Sequence, residues 1–214
     1  MKLRHLAVTL VLGLGLLAFP PGGRAASVYH YSGQNATAYF SSVDETGCIS
    51  TDVFLFAFDG KAKVAPGPKE TQSEAWLGIS SYDYCTETYV LNAYGGSTLA
   101  GPDFWLRDGN LNSARLKATI QMWDEGSSSF FDVFVNLTWT GMGAAQRGND
   151  HYHFRSPGFM INNQSNSVYR AAEVSGTIKD ATKTYNAGAS VFGDLSSSKS
   201  GSLTIGGGTP VPVP

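Results

Sequence analysis

Strict alternation of apolar and polar residues is the feature that most constrains the fold of this chain. From Ala114 to Met122 the even-numbered positions are apolar and the odd-numbered positions are arginine, lysine, threonine or glutamine. Successive side chains of a strand point to opposite faces of a sheet, so this pattern predicts a strand with one dry and one wet face. The alternation resumes from Phe131 to Trp139 after the segment "DEGSSS". Together the two runs predict an antiparallel hairpin.

Similar short runs occur along most of the chain, and no helical periodicity lies between them. They are separated by segments rich in glycine, proline, asparagine and aspartate, which favour turns. About ten strands without a crossover helix argue against a parallel sheet and predict an all-β fold. We expect a single antiparallel β-sandwich of the jelly-roll or immunoglobulin-like type, with a closed barrel as the second choice. The further strand candidates are 36–42, 50–58, 74–84, 88–94, 151–156, 168–178, 190–195 and 201–205.

The amino-terminal segment has the three-part layout of a secretory signal peptide. Lys2 and Arg4 precede an apolar run of 14 residues from Leu6 to Phe19, and small residues follow it. As a helix this run is too short to cross about 30 Å of hydrocarbon. We therefore expect a signal helix that is cleaved after Ala25, export from the cell, and no membrane span in the mature chain.

Cleavage at this position divides the chain into three parts. Residues 1–25 form the signal peptide, residues 26–205 form the β-sandwich domain, and residues 206–214 form a tail. The tail, "GGGTPVPVP", offers little to bury and its prolines donate no hydrogen bonds. We expect it to be extended and disordered.

The charged residues are few and scattered along the sequence. The chain has a formal net charge of −2, which becomes −5 when Lys2, Arg4 and Arg24 leave with the signal peptide. A nucleic-acid-binding surface needs a cluster of lysine and arginine to neutralise phosphates, and no such stripe is visible in the sequence. We expect no nucleic-acid partner.

Cys48 and Cys85 are the two cysteines of the chain, and each lies at the edge of a strand-like run. Exported proteins meet an oxidising environment in which disulfides form and persist. The sequence therefore predicts a Cys48–Cys85 disulfide that closes a loop of about 37 residues. Two buried free thiols are the alternative.

Two histidines lie close together in "RGNDHYHFRSPG". If this stretch is a strand, His151, His153 and Arg155 share one face, and Tyr152 and Phe154 are expected to dock the opposite face against the protein. A His-x-His pair can bind a metal ion such as zinc if a third ligand is available. His30 is the candidate for that ligand. The alternatives are a solvated strand face and a polar binding patch.

The polar patch would combine two neighbouring strands. We expect the strand that ends at Thr140 to pair with the histidine strand across the loop "GMGAAQRGND". Such a surface could hydrogen-bond an extracellular polar ligand, including the hydroxyl groups of a glycan. The residues of the patch would be Asn136, Thr138, Thr140, His151, His153 and Arg155.

A sugar-binding surface also needs an exposed aromatic platform. The sequence offers Trp105, Trp123, Tyr82 and Tyr84 as candidates. Large apolar residues usually lie in the core, so we expect most of these four side chains to be buried.

Sequence signatures of catalysis are absent. The chain has no Gly-x-Ser-x-Gly elbow, no His-Glu-x-x-His motif and no phosphate-binding loop. We therefore expect a secreted, non-catalytic binding or structural protein of bacterial type, without a required cofactor. The alternatives are a lectin-like carbohydrate-binding module and a metal-dependent protein or enzyme centred on the His-x-His strand.

Overall fold

The part of the chain that the structure describes forms ten β-strands. A computed structural model describes residues 27–65, 67–107, 109–156, 159–186 and 191–206. None of these residues forms a helix, so a helix with the length and apolar character to cross a membrane is not found among them. The strands are β1 (Ser27–Val43), β2 (Ile49–Ala65), β3 (Lys69–Asp83), β4 (Thr88–Thr98), β5 (Phe104–Leu106), β6 (Ser113–Asp124), β7 (Ser129–Gly141), β8 (Gln146–Ser156), β9 (Phe159–Lys179) and β10 (Val191–Gly206).

All neighbouring strands are antiparallel, and eight of them close into a ring. The order around the ring is β1, β2, β3, β4, β6, β7, β9 and β10, and β10 pairs again with β1. The all-β antiparallel prediction is confirmed. The ring corresponds to the closed barrel, the second of the two expected architectures, rather than to two separate sheets. The expected signal helix lies outside the described residues, as does the expected tail beyond Gly206.

The hairpin predicted from alternation is confirmed as β6 and β7. Leu116 pairs with Leu137 and Ile120 with Val133, and all four side chains are fully buried. The interior of an eight-stranded barrel is just wide enough for side chains to fill it. The apolar members of the alternation therefore form the core, and the polar members face solvent.

Trp139 of β7 is the largest fully buried side chain of this core. Its indole Nε1 donates a hydrogen bond of 2.6 Å to the backbone carbonyl of Thr37 on β1. Five inward positions on β1 to β4 hold alanine, which leaves room in a narrow interior for the indole. These small buried residues are Ala36, Ala38, Ala57, Ala75 and Ala93.

β8 lies outside the ring and continues the course of β7 along the same edge of β9. Gly141 of β7 pairs with Ala172, and Gln146 of β8 pairs with Tyr169. Between them the backbone N–H of Met142 donates to the carbonyl of Ala171, so the chain follows β9 instead of reversing. The expected pairing of the strand ending at Thr140 with the histidine strand is therefore wrong. Beyond the ring, β3, β2, β1, β10, β9 and β8 form an open sheet.

The predicted disulfide is confirmed. Cys48 and Cys85 are bonded, with their Cα atoms 5.4 Å apart. The bond joins the turn between β1 and β2 to the turn between β3 and β4. Asp44 and Asp83 order these turns by accepting hydrogen bonds from the backbone N–H groups of Ile49 at 2.9 Å and Cys85 at 2.8 Å.

Asp180 organises the turn that follows β9. Its Oδ1 accepts hydrogen bonds from the backbone N–H groups of Thr182 at 2.6 Å and Lys183 at 2.7 Å, and its Oδ2 accepts one from the Tyr185 hydroxyl at 2.5 Å. Partial burial alone would raise the pKa of this carboxyl. The hydrogen bonds to its charged form outweigh burial and lower the pKa to about 2.

We expect Asp180 to stabilise the protein at neutral pH and to stop doing so in acid. Its folded pKa lies below the unfolded value of about 3.9, so the stabilisation is present above about pH 4 and is lost as the pH falls toward 2. Asp180→Asn should lower Tm at pH 6 and leave Tm close to the wild-type value at pH 2, as followed by circular dichroism. Asp132→Asn, at an exposed position of β7, is the control. An equal loss for Asp180→Asn at both pH values would contradict this assignment.

Candidate ligand-binding groove

Large aromatic side chains lie on the outer face of the ring where β1 to β4 run side by side. Tyr39, Phe54, Trp76 and Tyr94 are each 51–53% exposed. Exposed apolar patches of this kind mark interaction sites in soluble proteins. The patch is not needed to close the core, because the alternate positions of the same strands already fill the interior with buried aliphatic residues.

A groove opens on this patch because one position in the aromatic row has no side chain. Tyr39 pairs with Phe54, Phe54 with Gly78, and Gly78 with Tyr94. Adjacent strands are about 4.8 Å apart, so the backbones of Phe54 and Tyr94 are roughly 10 Å apart with Gly78 midway between them. The groove has a volume of about 250 Å³, with Phe54 and Tyr94 as its walls and Gly78 as its floor.

Polar side chains line one end of the groove. Asp52 pairs with Ser80, and Ser80 pairs with Asn92, so these three residues form a row across β2, β3 and β4. The Tyr39 hydroxyl donates a hydrogen bond of 3.1 Å to Oδ1 of Asp52. The amide of Asn92 donates one of 2.5 Å to Oε2 of Glu125. A ligand in the groove would meet carboxylate, hydroxyl and amide groups at this end.

Tyr39 is held as a proton donor in this arrangement. Its hydrogen bond to Asp52, together with the negative charge of that carboxylate, raises the pKa of the Tyr39 phenol. The hydroxyl donates to the Asp52 carboxylate, and both residues line the groove.

Trp76 extends the aromatic surface, and like Phe54 and Tyr94 it lies beside a glycine on the neighbouring strand. It pairs with Phe56 on one side and with Gly96 on the other. A Cβ atom at Gly96 would lie 3.0 Å from Cε3 of the indole, so the ring lies directly over this glycine. A larger residue at position 96 would displace the indole from the sheet surface.

None of the four aromatic residues that the sequence suggested as a platform lines the groove. Tyr84 and Trp105 are exposed, and Tyr82 and Trp123 are half-buried, so the expectation that most of them lie in the core is wrong. Trp123 pairs with Tyr94 and its ring centroid is 4.8 Å from that of Phe130. It continues the aromatic row from the groove onto β6 and β7.

The histidine strand is exposed on both of its faces. Tyr152 and Phe154 are 55% and 43% exposed, so the expectation that they dock against the protein is wrong. The cause is the position of β8 outside the ring, where nothing described packs on this face. His151 pairs with Gln164 and His153 with Asn162 of β9.

The structure does not bring His30 together with the other two histidines. His30 pairs with Ser202 of β10, Ser202 pairs with Gln164, and Gln164 pairs with His151. These are three strand spacings, or about 14 Å along the sheet. Among the described residues, the group with three possible metal-ligand atoms within 4.8 Å of one another is Cys48, Asp83 and Cys85, whose sulfur atoms form the disulfide.

The remaining members of the expected polar patch are also separated from the histidines. Asn136, Thr138 and Thr140 pair with Thr177, Ser175 and Glu173 of β9. Glu173 is nine residues along β9 from Gln164, the partner of His151. That is roughly 30 Å, and an odd separation places the two on opposite faces of the sheet. Arg155 pairs with Met160 and lies still further along β8.

Comparisons with known proteins assign no family to this chain. No protein family matches the sequence, and no curated protein is detectably similar to it. Among solved structures, an acetoacetate decarboxylase-like enzyme from Sphingomonas wittichii RW1 aligns over 86% of this chain and 92% of its own, with 12% identity and a TM-score of 0.27. A similarity this distant carries no inference about activity.

Proposed function

We propose that this protein is a secreted, non-catalytic module that binds a neutral sugar or a short neutral glycan in the groove over Gly78. The observation that carries the proposal is the pair of aromatic walls, Phe54 and Tyr94, on either side of a glycine floor. A pyranose ring has faces of C–H groups, which can lie against aromatic rings. It also has a rim of hydroxyl groups, which the polar end of the groove can hydrogen-bond.

The polar row supports a sugar over a purely apolar ligand. Asp52 and Asn92 offer acceptors and a donor within the same groove as the aromatic walls. Ligand sites combine mostly apolar linings with a few placed polar groups that fix orientation, and this groove has that composition. The signal-like amino terminus adds support, because it predicts a protein that meets extracellular glycans.

Gly78→Val is expected to abolish sugar binding without weakening the fold. A Cβ atom at Gly78 would meet no atom within 4 Å, so a side chain can be added there without a backbone clash and would occupy the space between Phe54 and Tyr94. Valine also favours strands, where glycine costs about 0.5–1 kcal/mol. We expect at least a tenfold loss of affinity, about 1.4 kcal/mol, with Tm equal to or above that of the wild type.

The measurement is a screen of neutral oligosaccharides of glucose, galactose, mannose, xylose and N-acetylglucosamine, followed by calorimetric titration of the best binder. Tyr152→Ala on β8 is the control, since it removes an aromatic ring of similar exposure at a distant site. If no neutral sugar binds the wild type, the proposed function is wrong. If Gly78→Val binds as well as the wild type, the sugar site lies elsewhere.

A further inference from the structure

The open end of the sheet carries a row of basic residues. Lys63 of β2 pairs with His30 of β1, which pairs with Ser202 of β10. Ser202 pairs with Gln164 of β9, and Gln164 pairs with His151 of β8. Residues paired directly across antiparallel strands lie on the same face of a sheet, so this row crosses five strands on one face.

This face is the continuation of the ring interior. Along β2, Lys61 and Lys63 follow the buried Leu55 and Ala57 at even spacing, which keeps all four on one side of the strand. Past the end of the ring this face is open to solvent. Basic residues occupy the positions that apolar residues hold inside the ring. We call this surface the basic face. Its exposed basic residues are His30, Lys61, Lys63, Lys69, Arg147, His151, His153 and Arg155.

Acidic residues near the open end lie mostly on the other face. Glu70 pairs with Ala62 and Asp150 with Ser165, and both pairs have the opposite orientation to Lys61 and Lys63. Asp59 is the acid that the described residues place on the basic face, and its carboxylate accepts a hydrogen bond of 3.4 Å from the amide of Gln34. The chain as a whole is slightly negative, so the positive charge here is a local concentration.

Protection of sheet edges does not account for these cations. Lysines on edge strands discourage aggregation, and this explanation suits Arg147 and Arg155 on β8. Lys61 and Lys63, however, lie on β2, which is paired with β1 on one side and β3 on the other. Lys63 also lies directly opposite Lys69, and like charges in this position are unfavourable unless an anion offsets them.

We propose that the basic face binds an acidic polysaccharide, a chain that carries carboxylate or sulfate groups. The face runs across several strands and suits an extended ligand. Among its basic residues lies the exposed amide side chain of Gln164, which can hydrogen-bond sugar hydroxyls. A surface that binds single-stranded nucleic acid has aromatic rings beside its basic residues, on which the bases stack. The nearby Tyr31, Tyr152 and Phe154 belong to the opposite face.

This site is separate from the groove over Gly78. Lys61 and Lys63 lie on the inner face of β2, whereas Phe54 lies on its outer face. The inference therefore does not depend on the proposed sugar groove, and each can fail without the other.

The test uses polygalacturonate as the carboxylated polymer, dextran sulfate as the sulfated one, and neutral galactan and dextran as their matched controls. Binding of the protein is measured by affinity electrophoresis and calorimetry. We expect one acidic polymer to bind, its neutral counterpart not to bind, and affinity to fall at least tenfold from 50 to 300 mM salt, because exposed charge pairs are screened.

The double variant Lys61→Gln/Lys63→Gln should weaken this binding at least tenfold. The matched control is Arg115→Gln/Lys117→Gln, which removes the same charge from exposed positions on the outer face of β6. The inference is overturned if neither acidic polymer binds, if both double variants lose binding equally, or if an oligodeoxynucleotide binds more tightly than either acidic polymer. Gly78→Val should leave this binding unchanged.

Discussion

Replacing Gly95 by valine is expected to lower the free energy of unfolding by about 3 kcal/mol. The new side chain would force apart β4 and β6, which share the shortest strand pairing in the ring. β4 and β6 are paired over Ala93–Gly95 alone. A Cβ atom at Gly95 would lie 2.0 Å from the backbone carbonyl oxygen of Gln121 and 2.9 Å from Cα of Met122. Backbone atoms cannot move aside as a flexible side chain can, so the two strands would have to separate.

Chemical denaturation of the variant and the wild type measures this loss directly. Gly78→Val is the matched control, since it makes the same substitution one strand away at a position where an added Cβ atom would meet nothing within 4 Å. Equal stability of the two variants would show that the β4–β6 pairing tolerates a side chain at position 95. The expectation that Gly95 is needed to close the ring would then be wrong. Tyr94 belongs to the β4–β6 pairing, so the Gly95 variant should also displace Tyr94 from its position as a wall of the groove.

Removing the disulfide is expected to lower the free energy of unfolding by roughly 3 to 4 kcal/mol. Cys48 and Cys85 are separated by 37 residues, and in the chain-entropy model a bond that closes such a loop stabilises mainly by restricting the unfolded chain. It also ties together the two turns at one end of β2 and β3, next to the clustered rings of Tyr82, Tyr84 and Tyr89.

The variant for this test is Cys48→Ser/Cys85→Ser, measured by denaturant unfolding with and without dithiothreitol. Reductant should destabilise the wild type to the level of the double variant and leave the double variant unchanged. A wild type that keeps its stability under full reduction would show that the turns hold without the bond. Asp44 and Asp83, which order those turns by hydrogen bonds, would then be responsible.

Alternation predicted the parts of the fold in which a strand has one apolar and one polar face. β6 and β7 satisfy this condition, and their pairing follows from the short turn between them. Closure of the ring involves contacts between strands that are distant in sequence, such as β1 with β10, and no local pattern encodes them. The ring also depends on glycines such as Gly95, whose role is visible only against the neighbouring strand.

The groove could not be located from the sequence for a related reason. β2 is apolar on both faces, with Val53 and Leu55 inside and Phe54 outside, so alternation does not mark its outer face as a surface. Gly78 forms the floor of the groove only because the strand register places it between Phe54 and Tyr94. A run of alternating aliphatic and phenylalanine residues, as in "VFLFAF", was the available signal of a two-sided apolar strand.

The basic face was hidden from the sequence because its basic residues come from four strands. Lys61 and Lys63 are nearly ninety residues from Arg147 and Arg155, and the sequence shows them as scattered charges. Pairing of β2, β1, β10, β9 and β8 in one sheet places them on a common face. The same pairing separates His30 from His151 by three strands, which the sequence could not reveal either.

The groove over Gly78 lies on the outside of a ring whose interior is filled by the core. A ligand can therefore arrive and depart without any opening of the protein, so exchange should be fast and each contact short-lived.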